Sequence, residues 1–331
     1  GPSLAEVVCP DPERDELTPF EFPAKRGLRP PLLPLRLADN PAKMKKTRAF
    51  LKWAGGKYAL VEDITRRLPP GRVLVEPFVG AGSVFLNTRF EAYLLADINP
   101  DLIDFYNLLK TAPEGLIEEA RRLFAPAYNQ REAYFELRDV FNACRDPRQR
   151  AALFLYLNRH GYNGLCRYNR KGLFNVPFGK YKRPYFPEEE LWAFADKAQK
   201  ATFLCESYAD TFNRLQDDHV VYCDPPYAPL SSSANFTTYA ANGFSLDDQA
   251  ILARLARHTV TTRQVPVLIS NHATPLTYEL YRGARLDEIQ VKRTISRSAN
   301  GRTKVGELLA LYLPGMEFAD HPAEQHGVCR P

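Results

Sequence analysis

An apolar run of strand type, Val220-Val221-Tyr222-Cys223, is cut off by Asp224-Pro225-Pro226-Tyr227. Paired prolines lack amide hydrogens and fix their own backbone angles, so the chain must turn sharply where the strand stops. In an open α/β sheet, ligands bind in the crevice beyond the carboxyl ends of the strands. An acid and an aromatic held at that edge can do chemistry, and the rest of the chain is best understood around them.

The chemistry they suit is transfer to an exocyclic amine on a flat ring. Such a nitrogen is a poor nucleophile because its lone pair is delocalised into the ring. A carboxylate and a main-chain carbonyl that both accept its N–H bonds draw the nitrogen toward tetrahedral geometry and free that pair. Asp224 and the carbonyl of Pro225 are the candidates; Pro226 stiffens the turn and Tyr227 offers a face on which a base can stack. Asp and Pro also favour ordinary turns. These four residues alone fit a plain strand-ending turn equally well, and the company they keep has to decide.

The 331 residues suffice for one large α/β domain or for a domain carrying a big insertion. With 45% hydrophobic and 25% charged residues, the chain has the make-up of a globular protein. No run approaches the roughly 18 apolar residues of a membrane span, and the start lacks a basic segment followed by an apolar core. Neither a membrane partner nor a secretory signal is expected. Six cysteines, at 9, 144, 166, 205, 223 and 329, form no Cys-x-x-Cys pair. That speaks against a metal site or a disulfide framework and for a reducing, cytoplasmic compartment. A net charge of +5 is modest; its distribution is more telling.

Residues 1–43 are proline-rich without sustained periodicity and are expected to be a disordered extension, with Met44 looking like a natural start. In Phe50-Leu51-Lys52-Trp53-Ala54-Gly55-Gly56-Lys57-Tyr58 the paired glycines let backbone amides approach a ligand. Lys57 is expected to open an amphipathic helix through Leu60, Ile64 and Leu68, and a bare turn before a helix explains the glycines as well. Arg72 to Phe78 reads as a buried strand running into Val79-Gly80-Ala81-Gly82-Ser83, with a helix from near Val84. Such a strand-to-helix turn suits a nucleotide-like ligand. Phe85 stands where the third glycine of the dinucleotide fingerprint would fall, which disfavours a nicotinamide cofactor. Tyr93 to Asp97 is a second strand ending in an acid, placed either to bind ribose hydroxyls or to cap a helix from Pro100.

From Pro100 to Gly161 the pattern is helical, in segments near 100–110, 113–125, 131–144 and 149–160, which reads as an insertion into the sheet. The composition then shifts. Between Arg159 and Arg183 there are seven Lys or Arg and no acid, interleaved with Tyr162, Tyr168, Phe174, Phe178 and Tyr181 and with Asn163, Asn169 and Asn175. A solvated basic face would carry some acids and far fewer aromatics, so a nucleic-acid surface is expected, folded into a hairpin by its glycines. Arg and Lys can hold phosphates, Asn and Arg can read base edges, and an apolar wedge can enter the base stack.

Beyond it, the expectations are a helix near 188–199, a strand at 201–206, and a mobile flap at 228–242. A helix capped by Ser245 should run to about Thr261, followed by a strand at 265–271. Two last strands near 286–295 and 305–313 should flank a loop with Arg297, Arg302 and Lys304, which is either a second phosphate contact or a plain hairpin tip.

In one order, the stretches Lys-Trp-Ala-Gly-Gly-Lys, Glu-Pro-Phe-Val-Gly-Ala-Gly-Ser, Tyr-Asn-Gly-Leu-Cys-Arg-Tyr-Asn and Asp-Pro-Pro-Tyr make the sequence resemble the Dam-type DNA adenine-N6 methyltransferases of the alpha group, from Met44 to Pro314. The resemblance implies an α/β fold: a doubly wound mixed sheet of the S-adenosylmethionine-dependent type with a helical target-recognition insert carrying a basic hairpin. It places the catalytic domain at 44–99 and 200–315, the recognition domain at 100–199, and a tail at 316–331. By the same resemblance, Trp53, Lys57, Phe78, Gly80, Gly82, Ser83, Asp97 and Asp224 would line the pocket of the cofactor, S-adenosylmethionine. Lys52, Tyr162, Asn163, Leu165, Arg167, Asn169, Pro177, Lys180 and Tyr181 match positions that in the family touch or wedge into a GATC site. The family carries Arg where this chain has Lys180, and Lys lacks the bidentate fork.

The implied activity is methylation of N6 of an adenine flipped out of double-stranded DNA by a protein acting as a monomer, without a metal. Flipping is needed because a base inside the duplex is sterically closed. Methylation of cytosine N4 or of RNA is a rival within the class. A non-catalytic DNA-binding regulator is a rival outside it, but it would have damaged Asp-Pro-Pro-Tyr or glycine motifs, and both are intact here.

Overall fold

Central strands covered on both faces read as continuous apolar runs, and the three clearest such runs in the sequence are strands in the computed structural model. The structure describes residues 46–228, 244–290, 306–316 and 318. The extension at 1–43, the flap beyond Ala228, the loop with Arg297, Arg302 and Lys304, and most of the tail lie outside the described residues.

The chain runs through α1 (Val61–Arg67), β1 (Val73–Glu76), α2 (Ser83–Asn87) and β2 (Ala92–Asp97), then through α3 (Pro100–Thr111), α4 (Pro113–Arg122), α5 (Arg131–Ala143) and α6 (Pro147–His160). After the basic segment come α7 (Glu188–Ala198), β3 (Ala201–Cys205), α8 (Tyr208–Asn213) and β4 (His219–Cys223). The last elements are α9 (Leu246–Arg263), β5 (Val267–His272), α10 (Pro275–Leu280), β6 (Arg285–Ile289) and β7 (Glu307–Tyr312).

The strands form one open sheet of seven in the order β3-β2-β1-β4-β5-β7-β6. The first five neighbours are parallel, β7 is antiparallel to β5, and β6 is antiparallel to β7. From β1 the chain builds outward through β2 to β3, then returns to lay β4 on the other side of β1. That reversal is a topological switch point, where the loops leaving adjacent strands diverge and leave a crevice. Val75 pairs with Val221, so the ends of β1 and β4 lie side by side. Edge strand β6 carries Arg285, Asp287 and Glu288, charges that keep an open edge from pairing with other chains.

Alternate residues of each strand point to opposite faces, and the sheet divides the core accordingly. Leu74, Tyr222, Leu268 and Leu309 pack with α1, α2 and the helical insertion, in a cluster that includes Phe50, Phe105, Phe154 and Phe194. Val75, Val221, Ile269 and Leu308 pack on the other face with Leu252 and Ala256 of α9 and with Tyr281. Helix α6 is buried along its length from Ala151 to Asn158, as expected for a helix inside the insertion.

One sequence expectation is corrected and one open alternative is decided. Lys57 does not open a helix, because α1 starts at Val61 and Lys57 lies buried in the preceding loop. The cap of α3 is Asn99, whose side chain accepts from the Leu102 amide, so Asp97 is free of that task. The limbs of the basic hairpin meet in isolated antiparallel bridges, Gly161 with Phe178 and Tyr168 with Phe174. Helices α8 and α10, six residues each, are too short to show a periodic pattern in the sequence.

Candidate active site

Asp224 follows directly on β4, and its carboxylate meets a cation from the loop before α1. Lys57 Nζ stands 2.9 Å from Asp224 Oδ1 and 4.0 Å from Glu307 Oε1, and it donates to the carbonyl of Gly55. The Ser270 hydroxyl donates to Asp224 Oδ1 at 3.3 Å and is itself in a 2.9 Å bond with the Tyr222 hydroxyl. Burial pushes the Asp224 carboxyl above its ordinary range, and Lys57 and Ser270 pull it back. Glu307 at the start of β7 is pushed up to about 7, by burial first, with Lys57 lowering it and Asp224 raising it.

The turn itself is fixed from behind. Gln249 of α9 donates to the Pro226 carbonyl at 2.6 Å, Asn271 donates to Gln249 at 3.0 Å, and the Ala228 amide donates to Asn271 Oδ1 at 3.0 Å. Tyr227 donates its hydroxyl to Glu307, carries Lys57 Nζ 4.5 Å from its ring centroid, and meets the His272 ring edge-on at 4.6 Å. The turn thus combines a rigid backbone with a paired carboxylate.

Beside it, the glycine turn follows β1. Gly80 and Gly82 have φ of +47° and +73°, a region that L side chains rarely adopt. Asp97 Oδ2 accepts from the Gly80 amide at 3.1 Å and Oδ1 from the Asn99 amide at 3.0 Å. Burial raises the Asp97 carboxyl, and these amide bonds offset part of that. Trp53 covers the turn so closely that a Cβ on Gly80 would lie 3.0 Å from the indole Nε1. Trp53 and Ser83 line a cleft of about 270 Å³ with Arg48, Leu51, Tyr58 and Ala81. Phe78 stacks on Tyr208 with centroids 5.5 Å apart and meets Phe244 edge-on.

The hairpin residues gather on Lys52. Its Nζ lies 3.8 Å from the Tyr181 ring centroid, and Gly164, at φ +62°, packs against its side chain too closely to admit a Cβ. Burial and the charge of Arg159 hold the Lys52 amine below its ordinary range. Tyr181 accepts from the Asn163 amide at 2.9 Å, and the Tyr162 amide donates to the Pro177 carbonyl at 2.8 Å. Tyr162 is half exposed, at 50%. Leu165 is partly buried and its amide bonds the Tyr162 carbonyl; Arg167, Asn169, Pro177 and Lys180 are exposed. The Asn169 side chain is committed to the hairpin tip, accepting from the amides of Lys171 and Leu173.

Several residues here were not singled out from sequence. Ser270, Asn271, Gln249, Glu307 and Tyr208 all act on the site, as does Glu76, buried at the end of β1 with no hydrogen-bond partner for Oε1 among the described residues. Burial and the neighbouring Asp224 hold the Glu76 carboxyl well above its ordinary range. The one signal available was the polar pair Ser270-Asn271 closing an apolar strand, the same pattern that marked Asp224.

A strand-end carboxylate joined to a cation, a glycine turn one strand away, and a basic hairpin meeting the loop between them make a site for a flat amine, a nucleotide-like ligand and a polyanion. The chain is 66% identical to a DNA adenine methylase of Vibrio cholerae over 271 residues, covering 82% of this chain and 98% of that one. It is 62% identical to one from Salmonella typhi and 61% identical to one from Escherichia coli K12, each over 273 residues with the same coverage. Residues 53–295 match the model of the D12 class N6 adenine-specific DNA methyltransferases. The chain belongs to that family.

Proposed function

We propose that this enzyme transfers a methyl group from S-adenosylmethionine to N6 of an adenine flipped out of duplex DNA, within GATC, and acts as a monomer in the cytoplasm. The observation that carries the reading is the junction of Asp224 with Lys57 at the switch point, one strand away from the glycine turn. Residues 44–99 and 200–315 form the catalytic part in this reading, and 100–199 the recognition part.

The donor's groups fit what the chain offers. Asp97 presents a carboxylate oxygen at a strand end where ribose hydroxyls are held in nucleotide folds, and Trp53 packs directly over the left-handed backbone at Gly80. Ser83 lines the cleft beside that turn, and Lys57 is paired with Asp224 at the end of the neighbouring strand. When bound there, the donor supplies an electrophilic methyl carbon.

The chain's own groups do the rest. The Asp224 carboxylate, kept ionised by Lys57 and Ser270, accepts one N–H of the flipped base and the Pro225 carbonyl accepts the other. Both bonds strengthen as positive charge develops on N6, so they favour the transition state over the ground state. Pro226, anchored by Gln249, keeps the carbonyl from drifting, and Tyr227 gives the purine a stacking partner. Alignment of amine and donor contributes a large part of the rate.

At the hairpin, Tyr162, Leu165 and Pro177 would enter or line the base stack, Arg167, Asn163 and Lys180 would face base edges, and Lys52, Tyr181 and Asn169, whose Oδ1 holds the hairpin tip, would support the strand beside them. Incubating GATC duplexes and single-substitution duplexes with labelled S-adenosylmethionine, then digesting to nucleosides, tests the reading. Label in N6-methyl-2′-deoxyadenosine from GATC alone supports it; label in N4-methyl-2′-deoxycytidine, or equal label in every duplex, refutes it.

A further inference from the structure

Asp101, in the first turn of α3, takes no part in the turn that ends β4, yet it receives hydrogen bonds from two other parts of the insertion. Arg150 of α6 donates Nε to Oδ1 at 2.6 Å and Nη2 to Oδ2 at 3.1 Å, and Tyr168 of the hairpin donates its hydroxyl to Oδ2 at 2.6 Å. Asp101 is only 7% exposed. Arg150 is fixed in turn, donating Nη1 to the carbonyls of Phe141 at 2.7 Å and Cys144 at 3.3 Å, with its guanidinium 4.1 Å from the Phe141 ring centroid. A carboxylate taken out of water requires this degree of pairing. Arg150 therefore presents Asp101 as a rigid acceptor, and the group it receives comes from the basic hairpin.

The two limbs of that hairpin are tied down by different means. The far limb is tied to α5: Asn142 exchanges bonds with the amide and carbonyl of Phe174 at 2.8 and 3.1 Å, and Tyr134 donates to the Val176 carbonyl at 3.0 Å. The near limb is tied to the start of α3, through Asn99 to Cys166 Sγ at 3.3 Å and through Tyr168 to Asp101. Side chains along an extended limb alternate. Tyr168 turns inward against Phe174, with centroids 5.7 Å apart, while its neighbours Arg167 and Asn169 are exposed. Arg167 then reaches across the outer face to Asn175, with Nε 2.8 Å from Oδ1 and Nη2 3.1 Å from the carbonyl oxygen.

We propose that Asp101 is a positioning residue for sequence discrimination: through Tyr168 it sets where Arg167 stands over the duplex, without touching DNA itself. The proposal deepens the reading of the hairpin as the element that reads DNA, and rests on it. A bidentate contact with a base edge needs its fork placed to a fraction of an ångström, whereas a phosphate contact tolerates a looser cation. Freeing the near limb therefore lowers discrimination more than it lowers affinity or turnover.

Tyr168→Phe tests this, because it removes one hydroxyl and keeps the ring packed on Phe174. The readout is kcat/KM on a GATC duplex divided by kcat/KM on duplexes with one base pair changed, together with kcat at saturating GATC duplex. The ratio is expected to fall about tenfold while kcat stays within about twofold. Arg167→Ala should lower the ratio comparably, and the double variant should lower it no further than the larger single effect. A Tyr168→Phe enzyme that keeps the ratio, or that loses rate equally on every duplex, overturns the proposal even if Arg167→Ala loses discrimination. If Arg167→Ala itself keeps the ratio, the hairpin reading fails and the proposal falls with it.

Discussion

Lys57 Nζ lies 2.9 Å from Asp224 Oδ1, so a cation from the Gly55-Gly56 loop neutralises the first residue of the turn that closes β4. Two sequence motifs 167 positions apart thereby become a single charged unit. Burial raises the Asp224 carboxyl, and Lys57 is the largest influence acting the other way. Lys57→Met removes that influence. The acid limb of the kcat/KM profile should then move to higher pH, with activity at neutral pH reduced; acid limbs that superimpose would show that Lys57 does not hold Asp224 ionised.

Glu307 gives a stability prediction. Its carboxyl titrates at about 7 in the folded protein against 4.5 ordinarily. Between those values the folded chain retains a proton that the unfolded chain releases, so stability falls as pH rises through this window. The difference amounts to at most about 3 kcal/mol. In urea denaturation, wild type should lose stability between pH 5 and pH 8 relative to Glu307→Gln, and parallel pH dependences would contradict the assignment.

Gly80 combines a positive φ with an indole where a Cβ would go. Gly80→Ala should lower stability by about 1 kcal/mol from backbone strain alone and displace Trp53. Calorimetry should show S-adenosylmethionine binding weakened about tenfold or more while duplex affinity stays near wild type, the magnitude corresponding to one displaced ring contact. Unchanged cofactor binding would move the cofactor away from this turn.

Lys180, exposed on the hairpin at φ +56°, stands where the resembling family carries Arg. Lys180→Arg should strengthen preference for GATC over single-substitution duplexes by about 1 kcal/mol, since the fork adds a second bond to the same edge. Identical selectivity for Lys and Arg would make the position a phosphate contact.

How far the sequence alone reached follows from where each signal resides. Val73–Glu76, His219–Cys223 and Val267–His272 were legible because central parallel strands are apolar on both faces, and their endings in Glu76-Pro77, Asp224-Pro225 and Ser270-Asn271 mark the crevice. The hairpin was legible as a surface, from basic residues without acids, but its anchoring through Tyr168, Asn142 and Tyr134 was not, because those tyrosines and that Asn read equally well as exposed. Lys57 looked like the start of a helix since Leu60, Ile64 and Leu68 are helically spaced; its buried pairing with Asp224 depends on β4 returning beside β1. Glu307 was invisible for the same kind of reason: β7 inserts antiparallel between β5 and β6, an order that no local pattern encodes.

The most direct measurement is methyl incorporation into a GATC duplex by Asp224→Ala, followed alongside thermal melting and duplex binding. Loss of transfer by about a thousandfold or more, with melting and duplex affinity near wild type, is the outcome expected if this carboxylate grips the flipped amine. Incorporation at the wild-type rate would contradict it.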